Sequence, residues 1–357
     1  MKRNPRPLML ITRVLPFILT LVILILLLTQ ISVRDVVGLL ANLSLGWVAL
    51  GFACYLITNI CRALRLRVLL PERTFRFRSL LAIVLAQSMF NNTLPARTGE
   101  LSFVYLLNRH ERVPFDQATV ALIVARLSDY LAVAALFIAA ALIALPTLPG
   151  YAVTVIWAVL AVMLLTVALL LAAVWLGKRS LSLAGRVLGR RQISRWRPVA
   201  FGLEKMEQVI RAFEAVHSLR LHLKVFLWSL VIWFGTFAWF YAFLRSIDLQ
   251  PTPTKLVVGS TFAVLSKAVP FISVGGLGAH EAGWTVGFTL VGFEPTLAIA
   301  SGFAVNILTL LASLVFGPWG LWLLRSRGRA EAGDGTEAEI KLEAEGSEAQ
   351  PNVWLQS

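Results

Sequence analysis

Seven ionisable residues of this sequence sit beside two polar breaks in otherwise apolar stretches. Arg97 and Glu100 lie in the first break, Asn91-Asn92-Thr93-Leu94-Pro95-Ala96-Arg97-Thr98-Gly99-Glu100. Arg126 and Asp129 follow on the next apolar run, three residues apart and so on one face of a helix. Lys267, His280 and Glu281 flank the second break, Pro270-Phe271-Ile272-Ser273-Val274-Gly275-Gly276-Leu277-Gly278-Ala279-His280-Glu281. If these stretches cross a bilayer, each charge costs at least ~2.5–3.5 kcal/mol, so the groups must pair with one another or face water and ligand. Two arrangements answer that demand. In one, Arg97 holds Glu100 or Asp129 and Lys267 holds Glu281, as ion pairs that pin helices. In the other, Arg97, Arg126 and Lys267 present donors to a phosphate, which the planar guanidinium fork grips at two oxygens. Helix N-termini after the glycines add N–H groups aimed at the same anion. Asn91 and Asn92 then suit sugar or glycerol hydroxyls, and Glu100, Asp129 and Glu281 orient the cations or carry a proton. His280 is the one histidine beside a break; His110, His217 and His222 fall in basic segments expected to be solvated.

Other chemistry finds no support. The chain has no P-loop, no G-x-S-x-G, no H-E-x-x-H and no Cys/His spacing for a metal, so the expectation is a protein that is not an enzyme and holds neither metal nor cofactor. Cys54 and Cys61, its two cysteines, lie seven residues apart on one apolar run, too far along a helix for a disulfide.

The elements that position these groups follow from composition. Of 357 residues, 58% are hydrophobic and 15% charged, against about 45–50% and 25% in soluble domains. With apolar residues gathered in runs, the fold class expected is an all-α polytopic membrane protein. Full spans are expected at about Leu15–Val33, Leu45–Leu64, Ala118–Leu145, Ala152–Leu176, Val225–Leu244 and Thr296–Leu324. Residues 1–14 are a basic cytoplasmic N-terminus. Residues 178–224 form a basic cytoplasmic loop with eleven Lys or Arg against three acids, in which Leu203, Met206, Ile210 and Phe213 recur at the spacing of an amphipathic surface helix. Residues 328–357 form an acidic tail expected to be disordered and cytoplasmic. The net charge of +14 is then mostly the cytoplasmic bias of loop Lys and Arg, and nucleic acid is not an expected partner.

Four shorter apolar pieces remain: Leu80–Leu94 and Glu100–Leu107 around the first break, Leu256–Val269 and Ala282–Val291 around the second. Each is too short for the ~20 residues of a span. Pro95 and Gly99, then Pro270, Gly275, Gly276 and Gly278, mark the turns. Two re-entrant hairpins in an inverted repeat, one entering from each side, satisfy both the lengths and the charge bias. Two kinked ordinary helices are the alternative. Gly283 and Gly287 form a small-xxx-small pair suited to helix packing.

The segments Asn92–Glu100 (N-x-L-P-x-R-x-G-E), Arg126–Asp129 (R-x-x-D) and Gly275–Glu281 (G-G-x-G-x-x-E) resemble, in order, elements of the lysylphosphatidylglycerol synthase transmembrane region, the flippase-like domain family. The resemblance covers roughly Leu15 to Arg327. It departs at Phe103, where members often have Arg, and at Val274, where they often have Pro. It implies a multi-pass protein of a prokaryotic cytoplasmic membrane that moves, or helps to handle, an anionic phospholipid or polyprenyl-linked lipid. The aminoacyl-transferase domain that follows in the best-known members has no counterpart here, so no synthase activity is expected. The main rival is a non-transporting lipid-binding accessory protein that serves an envelope-biosynthesis partner; a small-solute transporter is a further one.

Overall fold

The computed structural model describes residues 27, 33–71, 74–94, 98–144, 146, 150–165, 168, 219–268 and 277–348, with backbone alone at 33–36, 98, 268 and 327–348. All its regular structure is helical, with no strand among the described residues: α1 Val33–Ala41, α2 Leu45–Leu69, α3 Phe77–Thr93, α4 Thr98–Glu111, α5 Phe115–Ala144, α6 Gly150–Leu165, α7 Leu219–Ser246, α8 Pro253–Ala268, α9 Ala279–Leu290 and α10 Pro295–Glu348. Helix is the structure that satisfies every backbone N–H and C=O within one segment, which hydrocarbon surroundings require. Four helices are long and apolar enough to cross a membrane: α2, α5, α7 and residues Pro295–Ser326 of α10. Large apolar side chains such as Ile57, Phe234, Ile143 and Trp322 point outward, as a lipid-facing surface demands.

The expected first span, the amphipathic surface helix and the end of the expected Ala152–Leu176 span lie outside the described residues. Two segments differ from expectation. Residues 33–41, between the first two expected spans, form α1, whose Leu39 and Leu40 pack against the core. The acidic stretch from Glu331, expected to be disordered, continues α10 to Glu348; alanine and glutamate, strong helix formers, dominate it.

The helices pack in a regular pattern. The α2–α7 pair is antiparallel: Ser44 N–H donates to the Ser246 carbonyl at 2.9 Å, Gly51 meets Phe243, Thr58 meets Gly235, and Arg65 meets Ser229. The α2 contacts recur every seven residues, and small residues along the seam let the backbones approach closely. The pair α3–α4 folds back on itself, with Leu80–Ala86 against Phe103, Leu106 and Leu107. The pair α8–α9 does the same, with Gly259 against Gly287 and Ser266 against Ala279. Gly283 and Gly287 therefore act in helix packing, as their spacing suggests. A Cβ at Gly287 would fall onto the Gly259 carbonyl.

The two broken units also exchange partners. Helix α3 packs on α10, and α8 packs on α5; α4 meets α5, and α9 meets α10. Within this set each contact made by α2–α5 has a counterpart made by α7–α10. At 1.5 Å per residue, α3, α4, α8 and α9 reach only about 26, 21, 24 and 18 Å, short of the ~30 Å hydrocarbon core.

Candidate functional site

A cavity of about 250 Å³ opens between α2, α3, α5, α7 and α8. Arg62 and Arg65 of α2, Asn91 and Asn92 of α3, Arg126 and Asp129 of α5, and Lys267 of α8 line it, with Tyr55, Phe103, Trp233, Trp239 and Phe240 among the aromatic walls. The helical periodicity explains the grouping. Arg62 and Arg65 stand three apart on α2, as Arg126 and Asp129 do on α5, so each helix turns one basic or mixed face inward.

Two of the arginines are matched by acids. The buried Arg65 forms an ion pair with Asp129, using Nη1 toward Oδ1 and Nη2 toward Oδ2 at 3.3 Å, and Nη1 also donates to Ser229 Oγ at 2.7 Å. These residues are only 6% and 8% exposed, and the bidentate geometry ties α2, α5 and α7 together. Arg126 pairs with Glu100 of α4 at 2.9 Å, in a more open setting, with side chains 34% and 23% exposed. Arg62 makes no ion pair with a carboxylate among the described residues; it donates to Asn59 Oδ1 at 3.3 Å and lies 5.8 Å from the centre of the Trp239 ring.

The second unit is closed. Glu281, fully buried, accepts from Gly278 N–H and from Asn306 Nδ2, both at 2.7 Å. The same Asn306 accepts from Lys267 Nζ at 3.1 Å, so an amide of α10 links the lysine of α8 to the acid of α9. Gly278 has φ 78°, a left-handed conformation natural to glycine, and this turn aims its N–H at the carboxylate two-thirds of a turn into α9. His280 is buried against Trp284 and Phe240, and its Nε2 has no hydrogen-bond partner.

Of the residues expected at a site, Asn91, Asn92, Arg126, Asp129 and Lys267 therefore meet at the cavity. Glu100 joins them through Arg126. His280 and Glu281 lie behind it, in the core of the second unit. Arg97, Pro95, Pro270, Gly275 and Gly276 lie outside the described residues; Gly99 is packed tightly against Asn91, where a Cβ would collide with the asparagine. Among the described residues Glu100 meets Arg126, Asp129 meets Arg65, and Lys267 shares Asn306 with Glu281, while the expected pairing of Arg97 falls outside them. Arg62, Arg65 and Asn306 were not anticipated from sequence. The arginines close an apolar run, where basic residues ordinarily mark the cytoplasmic end of a span, but α2 continues to Leu69 and carries them into the bundle. Cys54 and Cys61 are free thiols on the same helix.

The family model of the lysylphosphatidylglycerol synthase TM region matches residues 13–317, well over half of the chain. The chain belongs to that family. The lysylphosphatidylglycerol synthase TM region is a membrane region, in agreement with the apolar helices, and the match takes in both broken units and every cavity residue named above. No curated protein and no solved structure matches the chain.

Proposed function

We propose that this protein is a flippase-like translocator that moves an anionic phospholipid or polyprenyl-linked lipid across a prokaryotic cytoplasmic membrane. The observation that carries the reading is the cavity, enclosed by membrane-embedded helices and lined by Arg62, Arg65, Arg126 and Lys267 against a single lining carboxylate, Asp129. Its volume lies near the lower end of small-ligand pockets. It suits a head group, while the acyl or prenyl tails stay in the bilayer.

We further propose that α3–α4 and α8–α9 are re-entrant hairpins of an inverted repeat. The exchange of packing partners and the antiparallel α2–α7 pair support this. So does the register. Glu100 and Glu281 each stand two residues after the start of α4 and α9. Arg126 and Asn306 each stand eleven after the start of α5 and α10, and Asn91 and Lys267 fourteen after the start of α3 and α8. Such repeats place substrate sites at the midplane and alternate access by rocking one half against the other. Both termini are then cytoplasmic, and no chemical step on the lipid is involved.

The test is reconstitution into liposomes with labelled lipids of varied head group, read as transbilayer movement with and without ion gradients. Movement of an anionic lipid above the level of empty vesicles is expected. Binding without movement under any gradient would turn the reading into that of a lipid-binding accessory protein.

A further inference from the structure

Among the described residues the cavity lining holds Arg62, Arg65, Arg126 and Lys267 against one carboxylate, Asp129, and Arg62 stands apart from the other arginines. Arg65 and Arg126 each form an ion pair with a carboxylate, whereas Arg62 forms none among the described residues and feels Asp129 only at longer range. Its hydrogen-bond acceptor, Asn59 Oδ1, is uncharged and already receives Ser88 Oγ at 2.8 Å. The Trp239 ring lies at a distance where a cation–π contact orients a guanidinium without cancelling its charge. The same wall holds donors with nothing to donate to: the indole Nε1 atoms of Trp233 and Trp239 are buried and have no acceptor. A guanidinium that shares Asp129 with two other arginines and contacts no carboxylate among the described residues, on a wall with two N–H groups that have no acceptor there, suits an occupant that is negative and rich in acceptor oxygens.

We infer that Arg62 is the anion-binding residue of the cavity and that its ligand is a phosphate group. Phosphate fits better than a carboxylate because the guanidinium fork occupies two oxygens. The remaining lone pairs of a carboxylate lie in the plane of that fork, whereas a tetrahedral phosphate, the diester included, also presents oxygens out of that plane. Arg65 and Arg126 are held by their own acids, so they shape the wall and add long-range attraction. The inference deepens the proposed function, and rests on it only for the lipid as the source of the phosphate.

The test uses the full chain in mild detergent, with ligand-induced shifts in thermal unfolding converted to apparent affinities. The probes are short-chain phosphatidylglycerol, the matching diacylglycerol without phosphate, and inorganic phosphate. Arg62→Gln is expected to weaken phosphatidylglycerol binding tenfold or more, about 1.4 kcal/mol or above, and to leave the diacylglycerol response unchanged. Arg62→Lys, which keeps the charge but not the fork, falls between, and it decides the matter if the Gln variant does not fold. Trp239→Phe, which keeps a ring and deletes the N–H, weakens binding several-fold. Inorganic phosphate that competes in the wild type alone supports a general phosphate site; lipid binding that phosphate does not displace, yet still depends on Arg62, supports a lipid phosphodiester. Equal phosphatidylglycerol affinity in wild type and in a folded Arg62 variant overturns the inference, as does equal affinity for diacylglycerol. Arg62-dependent binding in a protein that moves no lipid would sink the translocator reading and leave this site standing. Lipid movement and binding indifferent to Arg62 would do the reverse.

Discussion

In the first broken unit the acid that opens the second arm meets an arginine; at the same register in the second unit it meets an asparagine. Glu100–Arg126 becomes Glu281–Asn306, and the cation moves from the long helix to the short one, as Lys267 in the place of Asn91. One arrangement therefore carries an amide on the short helix and a cation on the long one, and the other the reverse. Burial differs too. Glu100 and Arg126 remain partly open, while Glu281 is sealed under Gly278 and Asn306. The contrast separates two tasks that one set of residue types can perform. The open, charged set borders the cavity through Arg126, whereas the closed set holds α8, α9 and α10 together and shows the cavity only the lysine.

The largest effect expected is at Asp129. Asp129→Ala leaves Arg65 buried without its counter-ion, a change that costs roughly 3–5 kcal/mol in comparable sites. Thermal unfolding in detergent measures it. The residue in the same register of α10 is Thr309, whose hydroxyl only bonds its own helix at Val305. Thr309→Val is expected to cost less than about 1 kcal/mol. Comparable losses at the two positions would erase the asymmetry between the halves.

Next comes Glu281→Ala. It strands two buried donors, Gly278 N–H and Asn306 Nδ2, and each unsatisfied donor costs about 1–3 kcal/mol. The expected loss of about 2–4 kcal/mol in unfolding free energy should come with looser packing of α9, visible as faster hydrogen exchange in that helix. If Glu281→Ala unfolds like the wild type but abolishes lipid movement, the second unit is part of the moving site and the division of tasks is wrong.

Much of this organisation could be read from the sequence, and the parts that could not share a cause. The breaks, the short arms and the acids that open α4 and α9 follow from hydropathy, proline and glycine, because backbone chemistry dictates them locally. The pairings depend on which helices touch, and that is set by long-range packing of small residues such as Gly51, Gly235 and Gly259. Arg62 and Arg65 are not legible as cavity residues because a basic residue after an apolar run has the same appearance whether the helix stops or continues into a polar interior. Asn306 is a lone amide in an apolar span. Its one signal was positional: it lies as far into α10 as Arg126 lies into α5. A comparison of the two halves by register would have raised it.

Gly287→Ala tests the packing that sets the second unit apart. Its added methyl meets the Gly259 carbonyl and the Phe262 side chain, so α8 and α9 must separate. A loss of about 1–3 kcal/mol is expected, as for other overpacked sites. The first unit relies on an equivalent close approach at only one point, Gly99 against Asn91, next to the break itself. Strain there should register in lipid binding as well as in stability.

The smallest change in stability, and the sharpest division of tasks, is expected at Glu100. Its pair with Arg126 is partly exposed, and such pairs contribute only about 0–1 kcal/mol. Glu100→Gln keeps the size and a hydrogen-bond acceptor for Arg126, so unfolding should barely shift. The guanidinium, however, loses its nearest counter-charge and adds to the positive charge of the cavity wall. Anionic lipid should then bind more tightly and leave more slowly. In reconstituted vesicles this appears as a raised apparent affinity with a lowered maximal rate of transbilayer movement, the opposite of the weakened affinity expected at Arg62. If Glu100→Gln instead lowers affinity, Glu100 contacts the lipid itself, and the open unit binds a head group that carries a positive charge as well as a phosphate.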